Sequence, residues 1–199
     1  LPTDLVKRAE NAMYFAKLEK SGILFHTAKL EEKVLLRLET ERALRRSLNS
    51  DPSNTFSLYY QPIVDSEKSE IVGLEALVRW SDNGQIKLPA EFIPLAEETG
   101  LIVPIGKWVI ETACRQNKSW QNMDVGYIPV AVNVSAYQIL HSDLSTIIRE
   151  ALDKTKLDPK WLIVEITESI MQDIEKTDAI INELKSFNVI VAIDDLGTG

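Results

Sequence analysis

Four apolar runs in this chain are each broken by a polar residue of the kind that binds hard cations. Glu75 interrupts IVGLEALV, Asn133 falls near the end of VAVNVS, Glu165 and Glu168 punctuate LIVEITES, and Asp194 and Asp195 close VIVAIDD. A buried carboxylate without a partner costs several kcal/mol, so such groups pair, take up a proton or bind a metal. Any one of them alone reads more readily as a surface acid or a helix cap. Four occurrences at the same end of successive strands point elsewhere, because in a parallel α/β barrel those ends converge on the face that carries sites. Carboxylates and an amide are oxygen donors, which suit Mg²⁺ or Mn²⁺. Strand alternation also puts Ile71, Gly73, Glu75, Leu77 and Arg79 on one side. An acid and a guanidinium therefore share a face.

Positioning these groups takes a framework of alternating strands and helices. SLYYQPIVD (57–65) and EIVGLEALVRW (70–80) read as strands joined by the polar turn SEKS. Helical spacing follows at 89–99 and 103–121, then strands at 128–135, 161–169 and 189–195, with helices near 142–155 and 173–187 between them. Short apolar strands separated by helices predict βα units on a buried parallel sheet. Upstream, Leu5, Ala9, Ala12, Met13 and Ala16 keep helical spacing over 4–20, with Asp4 as N-cap and Gly22 as terminator, and ILFHT reads as a short strand. Residues 29–48 make a second helix, dense in mixed charge, with Leu30, Val34, Leu38, Leu44 and Leu48 along one side. Such a charge run reads as a solvated linker. The segment SDPSNT (50–55) breaks the periodicity and is the clearest boundary.

Composition narrows the chemistry. The chain has 199 residues, with 22 Lys+Arg against 30 Asp+Glu for a net charge of −8. Hydrophobic residues at 45% and charged residues at 26% fit an ordinary globular protein. No apolar run approaches the roughly 20 residues that span a bilayer, and the N-terminal stretch lacks a signal-peptide layout. A single cysteine, Cys114, set in the helical pattern WVIETACRQ, reads as a small core residue and fits a reducing, cytoplasmic setting. The acidic balance argues against DNA and other nucleic-acid partners, which need a basic face. An anionic substrate would need local positive charge, and a metal ion supplies it. His26 and His141 lie outside any HExxH context, and LGTG matches neither a P-loop nor GxGxxG. Trp80, Trp108, Trp120 and Trp161 read as packing residues.

Six motifs then follow in the order of one known family. They are YYQPIVD…GLEALVRW with its Glu75-Ala76-Leu77 triplet, PAEFIPLAEETGLI (89–102), WVIETAC (108–114), VNVSAYQ (132–138), EITES (165–169) and DDLGTG (194–199). Residues 56–199 thereby resemble the EAL domains, bacterial phosphodiesterases of cyclic di-GMP. Upstream, LVKRAENAMYFAKLEKSG resembles the terminal helix of a GGDEF (diguanylate cyclase) domain, and the charged helix resembles the connector of GGDEF–EAL tandems. The resemblance divides the chain into a GGDEF-like remnant (1–28), a helical linker (29–55) and the N-terminal part of an EAL domain (56–199). The GGDEF signature itself is absent, so no cyclase activity is implied.

The fold implied by the resemblance is α/β, a modified TIM-type (β/α) barrel with an antiparallel first strand, here of about five strands behind a helical N-terminal appendage. Glu75, Asn133, Glu165 and Asp194 match the family's metal ligands, and Asp195 matches the residue associated with the second metal. Arg79 matches a phosphate contact, Gln61 and Leu77 match positions lining the substrate site, and Glu168 supports the structure around it. The implied chemistry is two-metal hydrolysis of cyclic di-GMP to linear pGpG, with Mg²⁺ or Mn²⁺ as cofactor and Glu75, Asp194 and Asp195 as catalytic residues. A degenerate module that binds cyclic di-GMP without cleaving it is the alternative. The implied partners are cyclic di-GMP, a second copy through the EAL domain, and upstream GGDEF and sensory domains. Two positions depart from the family pattern: Leu196 replaces the Phe of DDFGTG, and Tyr137 replaces the Arg of NLSARQ. The family pattern continues with a strand lysine, a further acid and a glutamine, so the chain is expected to be a fragment, inactive alone.

Overall fold

The computed structural model describes residues 2–18, 21–167 and 174–194. The chain falls into two compact units, residues 1–44 and 45–199. Among the described residues, no helix is long and apolar enough to cross a membrane.

The first unit holds α1 (Pro2–Leu18) and most of α2 (Ala28–Asn49). Ala12, Phe15 and Leu30 form its small core, with Tyr14, Leu24 and Val34 packed against them. The segment 23–27, expected as a strand, has no regular structure, and the described residues of this unit offer no strand to pair with it. Thr27 instead starts α2, its hydroxyl accepting from the Leu30 N–H at 3.2 Å. Leu38 departs from the expected apolar side and is 44% exposed. At 100° per residue it sits about 80° around the helix from Leu30, whereas Leu48 returns to about 0°.

The second unit begins with an antiparallel hairpin, β1 (Phe56–Asp65) and β2 (Glu70–Asp82). The Asp65 carboxylate shapes its turn by accepting from the N–H groups of Glu67 and Lys68 at 2.9 and 3.1 Å. A second, unexpected hairpin folds β3 (Gln85–Lys87) back onto β2. Its two-residue loop is Asn83-Gly84, with φ of 49° and 79°, the backbone a type I′ turn requires. Then follow α3 (Pro89–Glu98), α4 (Ile102–Asn122), β4 (Val130–Val134), α5 (Ala136–His141), α6 (Leu144–Thr155), β5 (Leu162–Thr167), α7 (Ile174–Ser186) and β6 (Ile190–Asp194).

The sheet order is β1-β2-β4-β5-β6, antiparallel between the first two strands and parallel in the rest. This is the expected arrangement of an antiparallel first strand leading into βα units. Val130, Val132 and Val134 of β4 and Leu162, Val164 and Ile166 of β5 are buried. They share the core with Ile105 and Ile110 of α4 and Ile148 of α6. Each such side chain contributes about 1.5–3 kcal/mol by leaving water. Phe56 stacks on Trp80 and packs against Phe92 and Trp108 at one end of this core.

Asn117 of α4 ties the starts of two strands together. Its amide donates to the carbonyls of Ile128 and Trp161 at 3.1 and 3.0 Å, while its own oxygen accepts from Gln121 Nε2 at 3.2 Å. Cys114 is fully buried, and burial pushes its thiol up to about 12.

Candidate functional site

Strand register decides which side chains share a face, since residues paired across parallel strands point the same way and neighbours along a strand alternate. Glu75 pairs with Ala131, and Asn133, two residues on, pairs with Glu165. Glu75, Asn133 and Glu165 therefore lie on the face opposite Val132, Val134 and Val164. On β1, Gln61 pairs with Glu75, and Tyr59 pairs with Leu77. Gln61, Tyr59, Leu77 and Arg79 thus join the same face. Glu75 is in the middle of β2, not at its end, because the far half of that strand runs on to pair with β1 and β3 alone. Asp194 takes the register position opposite Thr167, two beyond the Glu165–Ala192 pair. Its side chain, like all of Glu168, Asp195 and Leu196, lies outside the described residues.

Within this face the structure brings Glu75 and Asn133 into contact. The Asn133 amide donates to Glu75 Oε1 at 2.7 Å, and Glu165 stands in the next strand at the level of Asn133. Two carboxylates and an amide on one face of a sheet offer hard-oxygen donors. Among the described residues, no three His, Cys, Asp or Glu side chains gather closely enough to hold a metal ion by themselves. Oxygen donors of this kind are those a Mg²⁺ or Mn²⁺ ion takes, once the Asn133 amide rotates to present its oxygen.

Arg79 is held by two contacts. Its Nη1 donates to the Val78 carbonyl at 2.9 Å, and its guanidinium lies over the Tyr59 ring, 5.2 Å from the centroid. Tyr59 was not among the residues expected at the site. Its signal in the sequence is only its two-residue spacing from Gln61 on a strand.

A cavity of about 360 Å³ opens beside these groups. Leu77, Asn133 and Ser135 line it from the sheet side, and Pro94, Glu97 and Gly106 from α3 and α4. Glu97 is half-buried, and burial pushes its carboxyl above the usual range, opposed by a hydrogen bond from the Ser135 side chain. Ser135 caps α5: its hydroxyl accepts from the Gln138 N–H at 3.3 Å, and Gln138 Oε1 accepts from the Ser135 N–H at 3.2 Å. Gln138 is buried against Gly106, where any Cβ would collide with its Nε2. Tyr137 stacks on His141, with ring centroids 4.0 Å apart.

A barrel-type sheet with an antiparallel first strand, and acids, an amide and an arginine on one face, defines the class. The chain belongs to the EAL domain family, which matches residues 41–199, and its α/β fold is the TIM-like barrel of that family. It is 40% identical over 200 residues to the signaling protein YkoW of Bacillus subtilis, covering 98% of this chain and 24% of that protein. It is 39% identical over 202 residues to the bifunctional diguanylate cyclase/cyclic di-GMP phosphodiesterase MucR of Pseudomonas aeruginosa, covering 98% of this chain and 29% of that one. The chain thus spans about a quarter of the length of these relatives. Among solved structures, it resembles the PaMucR phosphodiesterase in complex with c-di-GMP at a TM-score of 0.75 and 39% identity, over 81% of this chain and 65% of that one.

Proposed function

We propose that the domain to which this chain belongs hydrolyses cyclic di-GMP to linear pGpG, using divalent ions held by Glu75, Asn133, Glu165, Asp194 and Asp195. The contact between Asn133 and Glu75, on the face that also holds Arg79, carries this reading. The 39% identity to a named cyclic di-GMP phosphodiesterase supports it. A bound Mg²⁺ or Mn²⁺ would supply Lewis acidity and lower the pKa of a water to a useful range. The chain's own residues do the rest. Glu75, Asn133 and Glu165 bind through oxygen, Arg79 orients a phosphate by charge-assisted hydrogen bonds, and Leu77 and Gln61 shape the wall beside it. Residues 1–28 are read as the end of a GGDEF domain, since similarity to the bifunctional MucR covers 98% of the chain and so extends upstream of residue 41. The setting is the cytoplasm, where a guanylate messenger is made and a lone thiol stays reduced.

The test is to express the chain within a full-length family protein and incubate it with cyclic di-GMP and Mn²⁺ or Mg²⁺. Chromatography then follows pGpG. Turnover that disappears in Glu75→Ala supports the enzyme. Binding without turnover makes the domain a receptor, and absence of both removes the reading.

A further inference from the structure

We propose that the groove between α4 and α6 is an anion site, one that takes a small ligand through its phosphate or diphosphate group. The inference does not rest on the function proposed above. None of the groove's residues is on the strand face that holds Glu75, Asn133 and Arg79.

The groove has a volume of about 400 Å³, and its polar lining is Glu111, Arg115, Lys118, Ser119 and Asn122 of α4 with Lys154 of α6. At 100° per residue, Glu111, Arg115, Lys118 and Asn122 fall within about 60° of one another around α4. Two ion pairs lace the helices together, Lys107–Glu150 at 3.4 Å and Lys154–Glu111 at 3.7 Å. One turn further along α4 that pattern stops. Arg115 and Lys118 make no ion pair among the described residues, and the side chains of Ser119 and Asn122 make no hydrogen bond there. Two acids lie within electrostatic reach, Asp51 of Arg115 and Asp158 of Lys118. Both are engaged: Asp51 accepts from the Ser53 N–H at 3.0 Å, and Asp158 pairs with Lys160 at 3.1 Å. Three cations thus share the groove with one acid, in a chain of net charge −8. Like charges one turn apart on a helix repel, a cost that a bound anion removes.

Charge and donor type select the ligand. A carboxylate brings one charge and two oxygens, too little for three cations and two neutral donors. A phosphate or diphosphate brings more of both, with the Arg115 fork gripping two oxygens and the lysines acting as point charges. The volume lies in the range of small-molecule sites and leaves room for the group that bears the phosphate. A nucleic acid would need a stripe of cations along its backbone, not one bounded groove.

The test is isothermal titration of the chain with inorganic pyrophosphate in EDTA, where no metal can bridge the anion to Glu75. Saturable binding persists in Arg79→Ala and in Lys107→Gln, which lie outside the groove. It weakens roughly tenfold in Arg115→Gln and in Lys118→Gln, each of which loses one charge-assisted bond. Glu111→Gln removes the one opposing charge and tightens binding, a change of sign that a misfolded variant does not produce. Amide shifts in the ¹⁵N-labelled chain fall in residues 111–122 and 151–155. Flotation with phosphatidylcholine vesicles, with and without phosphatidylglycerol, separates the sources of the phosphate. A chain carried by the anionic vesicles alone, and released by Arg115→Gln, takes a lipid headgroup; one that binds pyrophosphate and neither vesicle takes a free phosphate. Binding to neither probe, or binding that Arg115→Gln and Lys118→Gln leave unchanged, overturns the site.

Discussion

The indole N–H of Trp80 in β2 donates to the hydroxyl of Ser47 in the last turn of α2, at 3.0 Å, with both side chains buried. This bond ties the end of the charged helix into the aromatic cluster of Phe56, Trp80 and Phe92. Ser47→Ala leaves a buried donor without a partner, which costs about 1–3 kcal/mol. Urea unfolding of the chain should show that loss, whereas Ser50→Ala, at an exposed residue of the same region, should change the midpoint little. Equal midpoints for Ser47→Ala and the unaltered chain would contradict the assignment.

Tyr59 supports Arg79 from below through ring–guanidinium contact. Such contacts are worth about 0.5–1 kcal/mol at exposed sites, equivalent to roughly two- to fivefold in affinity. Tyr59→Leu in a full-length family protein should therefore weaken cyclic di-GMP binding by that factor in calorimetry. Arg79→Ala, which removes the proposed phosphate contact itself, should weaken it far more. Equal affinities in all three proteins would remove both residues from the substrate site.

Cys114 should be chemically silent. Its thiol, raised to about 12 by burial, carries almost no thiolate at pH 8. Reaction of the native chain with a disulfide reagent should be slow and should become rapid on addition of denaturant. Fast labelling without denaturant would show that α4 opens at low cost.

Three carboxylates that cap short turns and helices set one limb of the pH dependence. Asp51, Asp143 and Asp158 each accept backbone and side-chain hydrogen bonds, chiefly from Ser53, Thr146 and Lys160, and all three carboxyls lie below their ordinary 3.8. A depressed folded-state value means that the unfolded chain takes up protons first as the pH falls. Their stabilisation is therefore present above 3.8 and is lost as the pH drops through the lowered values. Urea midpoints measured from pH 6 down to pH 2.5 should fall less steeply in Asp143→Asn, which keeps an acceptor but does not titrate. An unchanged slope would mean that the cap at Thr146 does not form.

The parts of the fold that were legible are those with strong periodicity. Val130, Val132, Leu162 and Val164 sit in continuous apolar runs that only a sheet covered by helices accommodates, and each later strand is within two residues of its expected span. β3 was missed because three residues make no pattern; its one signal in the sequence is the Asn83-Gly84 pair. The helix α5 was missed for the same reason, although Ser135 and Gln138 are spaced as a capping box. The ILFHT segment misled because apolar composition alone does not supply a pairing partner. The meeting of Glu75 and Asn133 was legible from their place as polar interruptions, and the face Arg79 shares with Glu75 from strand alternation. Glu97 in the cavity wall was not, since an acid near the end of an amphipathic helix looks like any solvated residue until the fold places it there.

Asn117 has a consequence at the far end of the strands it ties. By pinning the carbonyls of Ile128 and Trp161, it sets where β4 and β5 begin. A one-residue slip of β5 would exchange its two faces, driving Glu165 into the helix layer and Ile166 out of it. The buried amide at the foot of the sheet thus acts as a vernier for the side chains at its head. A substitution at position 133 or 165 changes what is presented on that face, whereas the loss of Asn117 would change which residues reach it at all.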